Sequence, residues 1–316
     1  MSSLHGSDGT EKRPNSFGPM SQNLTVNTKE AKLIATKDDT FMDLVNALEA
    51  ECPDSTEEER VRFLKARNEV YSDALDQLKL YLEWRKDNKL DLVDAATSNE
   101  YEEDDWFSCT SSWISDDEWD WNEAVESAFA LHQNVLSFPL STTMPRLARL
   151  VINEDTGETM LDKDKKRILQ LLPAQINPGK VPFEVYITAI SIYLDKKLCR
   201  HSLEKVTVCV DVRAGRGWTN PPGGSIVPFI KGMINVWERN FPERLNRSIV
   251  YPLPMVGTTL ARKVIKLFLE PDTANKIVVI RDEENGDSIL VPKRFEEHIA
   301  VQTLEVMEKN RVSSFC

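Results

Sequence analysis

An α/β fold is predicted for this chain, in which a small N-terminal helical bundle precedes a mainly parallel sheet with helices on its faces. Three observations predict it. Between residues 41 and 82, apolar residues recur at spacings of three and four, as they do along one face of a helix. After residue 146, short apolar runs alternate with segments of helical periodicity. The chain has 316 residues, 41% of them hydrophobic, which is enough to bury a large core.

The N-terminal part begins with a polar stretch and continues with three predicted helices. Residues 1–37 lack apolar periodicity, which predicts a disordered tail. A first helix is expected at 41–50. Ser55 and Glu58 have the spacing of a capping box, which predicts the start of a second helix there. A third helix is expected from residue 70 into the charged stretch that follows residue 82.

The middle of the chain is acidic and rich in tryptophan. Residues 90–145 contain 13 Asp and Glu and no Lys or Arg, whereas residues 146–316 contain 26 basic and 21 acidic residues. The acidic segment is interpreted as a docking site for a basic protein partner, centred on 97–120, or as a cover over the basic part. A surface loop anchored to the core by its tryptophans is the simpler interpretation. The basic C-terminal half could face anionic lipid headgroups, while a net charge of −12 gives nucleic-acid binding little support.

The C-terminal half predicts a sheet covered by helices. Apolar runs at 147–152 and 167–172, separated by turn-rich residues, predict a hairpin-like pair of strands. The series that follows predicts a largely parallel sheet, because short connections link its strands and helices. The expected elements are a helix at 181–195, a strand at 205–212, a helix at 225–240, a strand at 247–252, a helix at 258–269, a strand at 276–281 and a helix at 292–309.

Known catalytic and metal-binding motifs are missing from the sequence. The GxG at 215–217 lacks the third glycine of a dinucleotide-binding loop, and neither GxxxxGK[ST] nor GxSxG occurs. The histidines are scattered, and the five cysteines show no CxxC spacing, so neither a metal site nor a disulfide framework is indicated. A protein that is not an enzyme and that uses no metal or cofactor is therefore expected.

The sequence also shows no hydrophobic run typical of a membrane-spanning or targeting segment. No run approaches the roughly 18 apolar residues that a membrane span needs. The N-terminus has no signal-peptide hydrophobic run. A cytoplasmic location is therefore expected, with only transient contact to membranes.

Two stretches resemble a known family. RFLKAR at 62–67, followed by EWRKD at 83–87, resembles the N-terminal helical element of the CRAL-TRIO family, which includes carriers of phosphatidylinositol and phosphatidylcholine, tocopherol and retinaldehyde. NFPER at 240–244 and EPDTANK at 270–276, with the strands beside them, resemble the most characteristic block of that family. VCVDV at 208–212 resembles its strand before the central helix.

The resemblance implies a domain organisation. It covers the helical element and the α/β part, but not the acidic segment or the tails. The expected parts are a disordered tail at 1–37, an N-terminal helical element at 38–92, an acidic Trp-rich insertion at 93–125, a CRAL-TRIO lipid-binding domain at 126–305 and a C-terminal tail at 306–316.

The resemblance also implies that the protein encloses one membrane lipid and transfers or presents it between membranes. Phosphatidylinositol is the expected ligand, and another hydrophobic ligand is the alternative. A gating helix at 257–269 would close the hydrophobic pocket, although a plain amphipathic helix packed on the sheet explains the same periodicity. Residues expected at the pocket and gate are Tyr186, Ile190, Phe229, Met233, Leu260, Val264, Leu267 and Phe268. Residues expected to contact the membrane are Arg262, Lys263 and Lys266.

Headgroup residues follow from the same resemblance. The positions that bind the inositol phosphate in phosphatidylinositol-binding members correspond here to Lys65, Glu243, Thr273 and Lys276. Lys65 stands where the family usually has Arg, so the charge is kept but the planar fork of a guanidinium is lost. An ion pair between Glu243 and one of the lysines, which would only tie the two parts together, is the competing interpretation.

Deletion of residues 97–120 distinguishes the lipid carrier from a second hypothesis, a lipid-regulated adaptor or small-GTPase-regulator scaffold. For a carrier, lipid transfer between vesicles remains intact, because the acidic segment lies outside the lipid-binding part. For a scaffold, biological activity is lost while lipid binding remains. Vesicle transfer and complementation of a null strain, measured on the same variant, decide between the two.

Overall fold

The protein has a helical N-terminal part and an α/β part, as the sequence predicts. The computed structural model describes residues 41–90, 117–136, 147–214, 225–253, 271–281 and 293–314. The helices are α1 (Phe41–Glu51), α2 (Glu57–Ala66), α3 (Tyr71–Asp87), α4 (Asp117–Leu136), α5 (Phe183–Lys197), α6 (Val227–Asn240), α7 (Pro271–Asn275) and α8 (Val301–Ser313). The strands are β1 (Ala148–Leu150), β2 (Arg167–Leu171), β3 (Val206–Asp211), β4 (Leu245–Leu253) and β5 (Ile277–Arg281).

These strands form one sheet whose order follows the chain from β1 to β5. β1 pairs antiparallel with β2, with Ala148 opposite Leu171, so the predicted hairpin-like pair is confirmed. β2, β3, β4 and β5 are parallel, and α5 and α6 connect the first three of them. The α/β fold class with a mainly parallel sheet is therefore confirmed.

Helices cover the two faces of the sheet unequally. Side chains alternate between faces along a strand. One face, which carries Leu169 and Val208, packs against α4, α5 and α6. The opposite face, which carries Cys209 and Ile249, packs against α8 and against Phe295 of a short 3-10 helix. The larger core lies under α5 and α6.

The start of α2 shows a capping box one residue later than the sequence predicts. Thr56, not Ser55, accepts a hydrogen bond from the Glu59 amide at 3.2 Å, and the Glu59 carboxylate accepts one from the Thr56 amide at 3.0 Å. Ser55 donates to the Cys52 carbonyl instead, at 2.6 Å. The prediction of Ser55 with Glu58 was wrong because consecutive Ser-Thr and Glu residues allow two registers, and only tertiary contacts to Glu59 select one.

A buried charge network docks the helical part onto the α/β part. Glu59, which is fully buried, accepts hydrogen bonds from Arg200 at 2.8 and 3.0 Å and from the Tyr81 hydroxyl at 2.8 Å. Burial alone would raise the pKa of the Glu59 carboxyl, but the hydrogen bond and charge of Arg200 hold it below its ordinary value. Arg85, also fully buried, donates to both carboxylate oxygens of Asp195 at 2.6 and 2.7 Å. α3 is thereby fixed to α5.

Contacts between uncharged groups also hold the helical part against the α/β part. The Gln77 amide donates to the carbonyls of Glu238 and Arg239 at the end of α6, at 2.8 and 3.0 Å. Trp84 meets Phe241 edge to face, with ring centroids 6.0 Å apart. The turn that follows α6 is consequently held against the helical part.

The acidic segment meets the core at its C-terminal end. α4 begins at residue 117, inside the predicted insertion, and Trp121 is buried with its ring edge-on to Tyr193 at 5.5 Å. This contact agrees with a segment anchored by tryptophan. Trp106, Trp113 and most of the predicted docking segment at 97–120 lie outside the described residues, as do the predicted tail at 1–37 and the predicted helix at 258–269.

Two further expectations need correction. The C-terminal helix predicted at 292–309 is interrupted: a 3-10 helix at Lys293–Glu297 precedes α8, which ends at Ser313 and buries Met307 and Asn310. Residues 306–313 therefore belong to the folded part and not to a tail. Cys199 is disulfide-bonded, although the cysteine spacing indicated no disulfide, because pairing depends on which thiols the fold brings together and not on their spacing.

Replacing Arg85 by Ala should lower the free energy of unfolding by about 3–5 kcal/mol, because the buried Asp195 carboxylate loses the Arg85 Nη1 donor that contacts both of its oxygens. Chemical denaturation measures this change. Lys79→Ala is the matched control: Lys79 pairs with Glu51 at 3.3 Å, but their side chains are 50% and 55% exposed, so a loss of only about 0–1 kcal/mol is expected. Equal effects of the two substitutions would contradict the role given to the buried network.

Candidate functional site

Charged side chains gather at the edge of the sheet where the parallel strands begin. Lys205 directly precedes β3, Glu243 lies two residues before β4, and Lys276 directly precedes β5. Because neighbouring strands lie about 4.8 Å apart, side chains that precede them converge at this edge. The Lys276 carbonyl accepts a hydrogen bond from the Ser248 amide at 2.9 Å, which fixes Lys276 beside β4.

Glu243 lies at the centre of this cluster. Its backbone has a φ of 59°, in the left-handed region that non-glycine residues seldom adopt. Arg244, which is buried, anchors the turn by donating to the carbonyls of Glu204 and Cys199 at 3.0 and 2.5 Å. A strained backbone held by a buried neighbour is a feature of functional sites. The turn therefore sets the position of the Glu243 carboxylate.

Three lysines act on this carboxylate. The Lys205 ammonium donates to Glu243 Oε2 at 2.7 Å. Burial by itself would raise the pKa of the Glu243 carboxyl, but the hydrogen bond and charge of Lys205, together with the charges of Lys276 and Lys65, hold that pKa below its ordinary value. Glu243 is consequently ionised at neutral pH and sits in a positive environment.

The fourth charged side chain of the cluster comes from α2. Lys65 is exposed in the last turn of this helix, and its ammonium lies 5.9 Å from the centre of the Phe41 ring. Arg62, one turn earlier, is only 3% exposed. Burial lowers the pKa of Arg244 to about 9, and the positive charge of Arg62 contributes to this shift. The face of α2 that carries Arg62 and Lys65 thus adds positive charge to the turn at 241–244.

The structure brings most of the predicted headgroup residues together. The charges of Lys65 and Lys276, which are 211 positions apart in the sequence, both act on the Glu243 carboxylate. Thr273 lies in α7, where its carbonyl accepts a hydrogen bond from the Lys276 amide at 3.1 Å. Glu243 forms its hydrogen-bonded ion pair with Lys205, within the α/β part, so the competing interpretation of a pair with Lys65 or Lys276 is not what the structure shows.

Sequence reasoning missed Lys205. The residue belongs to no motif quoted for the family. A signal was nevertheless present, because Lys205 directly precedes a predicted strand of a parallel sheet, at the same edge as Glu243 and Lys276.

An incompletely covered apolar face adjoins the charged cluster. On the face that α5 and α6 cover, residues of β2 and the middle of β3, such as Leu169 and Val208, are buried. Further along the same face the apolar side chains are only half-buried. They are Val210, Val250, Ile277 and Val279. Half of this face is therefore core, and the other half is apolar surface that a ligand or a covering segment could bury.

The helices over this face continue the apolar surface. α6 carries half-buried apolar residues, namely Ile230, Met233, Val236 and Trp237. Ile187 on α5 is also half-buried. At Gly232 the two helices approach so closely that an added Cβ would clash with the Ile187 Cδ1 atom. A glycine here allows α6 to pack tightly on α5.

The predicted pocket residues fall into three groups. Tyr186 and Ile190 are fully buried in the packed core, where the Tyr186 hydroxyl accepts a hydrogen bond from the Asn177 amide at 2.9 Å. Phe229 is 7% exposed and packs against Phe183, while Met233 is half-buried. The gate and membrane-contact residues Leu260, Arg262, Lys263, Val264, Lys266, Leu267 and Phe268 lie outside the described residues.

Metal-binding groups and membrane spans do not appear in the part of the chain that the structure describes. No group of three or more His, Cys, Asp or Glu side chains within that part could hold a metal ion. None of its helices is long and apolar enough to cross a bilayer.

Comparison with known proteins identifies the domain. Residues 158–306 match the family model of the CRAL/TRIO domain. Among the curated proteins, none matches this sequence. The crystal structure of Sfh5 aligns at 18% sequence identity and a TM-score of 0.41, over 70% of this chain and 64% of its own. The chain therefore spans less than two thirds of Sfh5, and a similarity of this size says nothing about the ligand.

The family match contains the candidate site except for Lys65, which lies on α2. It includes the parallel strands β2 to β5, the turn with Glu243, and Lys276. The half-buried apolar face also lies within it. The match therefore shows a CRAL/TRIO domain at residues 158–306, which are 149 of the 316 residues of this chain.

Proposed function

We propose that the protein binds phosphatidylinositol and transfers or presents it between membranes. One observation carries this proposal. The cluster of Lys65, Lys205, Glu243 and Lys276 lies at the beginning of the same strands whose next residues form the half-buried apolar face. A phospholipid has the same division, with a charged and hydroxylated headgroup joined directly to hydrocarbon.

The chemistry of the cluster suits an inositol phosphate. Ammonium groups of Lys65 and Lys276 can neutralise a phosphodiester through charge-assisted hydrogen bonds. Among the described residues, Glu243 accepts its hydrogen bond through Oε2, which leaves Oε1 able to accept one from an inositol hydroxyl. Thr273 offers a hydroxyl one turn from Lys276.

The hydrocarbon part of the lipid requires nearly complete enclosure. At roughly 0.8 kcal/mol per CH₂, exposing one 16-carbon chain to water costs on the order of 12 kcal/mol. The half-buried residues of β3 to β5 and α6 supply one wall for such a chain. The pocket proposed here uses Phe229 and Met233, together with Ile187, Val250 and Val279, next to the predicted Tyr186 and Ile190.

A gate has to close the other wall. We propose that the segment 257–269, which the family resemblance implies to be a gating helix, closes this wall. Leu260, Val264, Leu267 and Phe268 would then face the acyl chains, and Arg262, Lys263 and Lys266 would meet anionic lipids during transient contact on the cytoplasmic side.

The paired substitutions Glu243→Ala and Lys276→Ala should weaken phosphatidylinositol uptake on the order of tenfold to a hundredfold, because the headgroup loses two charge-assisted contacts. Uptake of radiolabelled phosphatidylinositol from vesicles measures the effect, and thermal unfolding shows whether the fold is kept.

The matched control is the pair Asp155→Ala and Lys309→Ala. It also removes one acidic and one basic side chain, which form an ion pair of 2.8 Å on an exposed surface formed by α8 and the turn after β1. Uptake should be unchanged in this control. If the Glu243 and Lys276 variant also takes up phosphatidylinositol normally, the headgroup assignment is lost.

Filling the apolar face should displace lipid. In a Val279→Trp variant the indole would occupy space over β5, so the amount of lipid that co-purifies with the protein should fall several-fold. Native mass spectrometry of the purified protein measures it. Leu80→Trp is the control, because Leu80 is 52% exposed on α3, away from the sheet. Undiminished lipid in the Val279 variant would remove this face from the proposed pocket.

A further inference from the structure

We propose that the charged cluster selects a lipid headgroup with more than one negative charge, and that Lys205 is the residue that determines this preference. The ligand class is a phosphoinositide that bears a phosphate monoester in addition to its phosphodiester. The inference rests on the proposed function, because it concerns the headgroup end of the same site. It goes further by naming the headgroup charge and a residue outside the family's quoted motifs.

The first support is the charge of the cluster. The charges of three ammonium groups, those of Lys65, Lys205 and Lys276, act on one carboxylate, that of Glu243. Lys205 and Glu243 form a hydrogen-bonded ion pair at 2.7 Å, with their side chains 36% and 30% exposed. Within the described residues, Lys65 and Lys276 have no carboxylate within salt-bridge distance. The cluster thus holds two positive charges more than it holds negative ones.

The second support is buried positive charge behind the cluster. Arg62 and Arg244 are 3% and 2% exposed, and neither forms an ion pair with a carboxylate in the described part of the chain. Arg244 donates only to backbone carbonyls, and Arg62 Nε finds no acceptor among the described residues. Buried charges are screened much less by salt than exposed ones are. Glu59 and Glu204, whose charges act on Arg244, are already paired with Arg200 and Arg167, so the two arginines add positive potential at the turn that presents Glu243.

The third support is the position of Lys205. Its ammonium donates a hydrogen bond to the Glu243 carboxylate, and Glu243 is the acceptor proposed for an inositol hydroxyl. A phosphate monoester on the inositol ring would then come close to Lys205, which has further N–H groups to donate. Lys205 therefore meets the part of the ligand that distinguishes a phosphoinositide from phosphatidylinositol.

The candidate headgroups can be ranked by how well their negative charge compensates the excess positive charge of the cluster. Phosphatidylcholine is a zwitterion without net charge, so it leaves the excess uncompensated. Phosphatidylinositol contributes one negative charge through its phosphodiester. A phosphate monoester adds about −1.5 to −2 at pH 7, because its second pKa is near 6. A phosphatidylinositol monophosphate therefore compensates the cluster best.

The test compares Lys205→Gln with the unaltered protein. Protein is mixed with phosphatidylcholine vesicles that contain equal amounts of phosphatidylinositol and a phosphatidylinositol monophosphate, and the bound lipids are extracted and quantified. The unaltered protein should prefer the monophosphate about tenfold, which is a typical effect of one additional charge-assisted hydrogen bond. The variant should lose most of this preference, because its binding of the monophosphate should fall more than its binding of phosphatidylinositol.

Two controls separate charge recognition from a structural effect. Lys309→Gln removes a lysine that also pairs with a carboxylate, at 2.8 Å, but far along the chain on α8, and it should leave the preference unchanged. The preference of the unaltered protein should also rise between about pH 5 and about pH 7.5, because the monoester loses its second proton in that range. In Lys205→Gln this pH dependence should largely disappear, whereas a merely structural role of Lys205 would leave it in place.

The outcomes separate this inference from the proposed function. Phosphatidylinositol binding without any preference for the monophosphate, or an equal loss of both lipids in Lys205→Gln, overturns the inference and leaves the proposed function standing. A soluble inositol phosphate that binds with the same dependence on Lys205, in a protein that takes up neither lipid, supports the charge selection and overturns the lipid-transfer proposal. Failure of all of these probes to bind overturns both.

Discussion

The carboxylate of Glu59 is buried between the helical part and the α/β part, where Arg200, Tyr81 and the Thr56 amide all donate to it. A buried carboxylate is tolerated only when its hydrogen bonds are complete. α2, α3 and the loop after α5 must therefore occupy one relative position. The ion pair between Arg85 and Asp195 adds a second constraint of the same kind. These contacts decide where α2 lies, and α2 carries Lys65.

This constraint makes the candidate site composite. Lys65 comes from the helical part, whereas Lys205, Glu243 and Lys276 come from the edge at which the parallel strands begin. Ligands of open α/β sheets usually bind outside the opposite edge, at the carboxyl ends of the strands. Here Asp211 at the carboxyl end of β3 is occupied by ion pairs with Arg213 and Arg311, which tie α8 to the sheet. The two edges therefore have different roles, one structural and one suited to a ligand.

The sheet face shows a related division. Where α5 packs over β2 and the middle of β3, the side chains are buried and the core is complete. Over β4 and β5 the apolar side chains remain half-buried, although covering them would stabilise the protein. A carrier has to forgo some of this stabilisation, because a solidly filled core leaves no space for acyl chains. The match to the CRAL/TRIO domain and the partly covered half of this face thus both favour lipid binding.

Local patterns in the sequence determined the α/β class, the antiparallel first pair, the parallel strands and the N-terminal helices, because periodicity and turn residues act between near neighbours. Motif resemblance also marked Lys65, Glu243 and Lys276, which the fold brings together. Only tertiary structure decided that Thr56 caps α2, that Lys205 pairs with Glu243 and that Tyr186 lies in packed core. Each of these depends on atoms from elements far apart in the chain, and the free energy of such contacts exists only once the elements are packed.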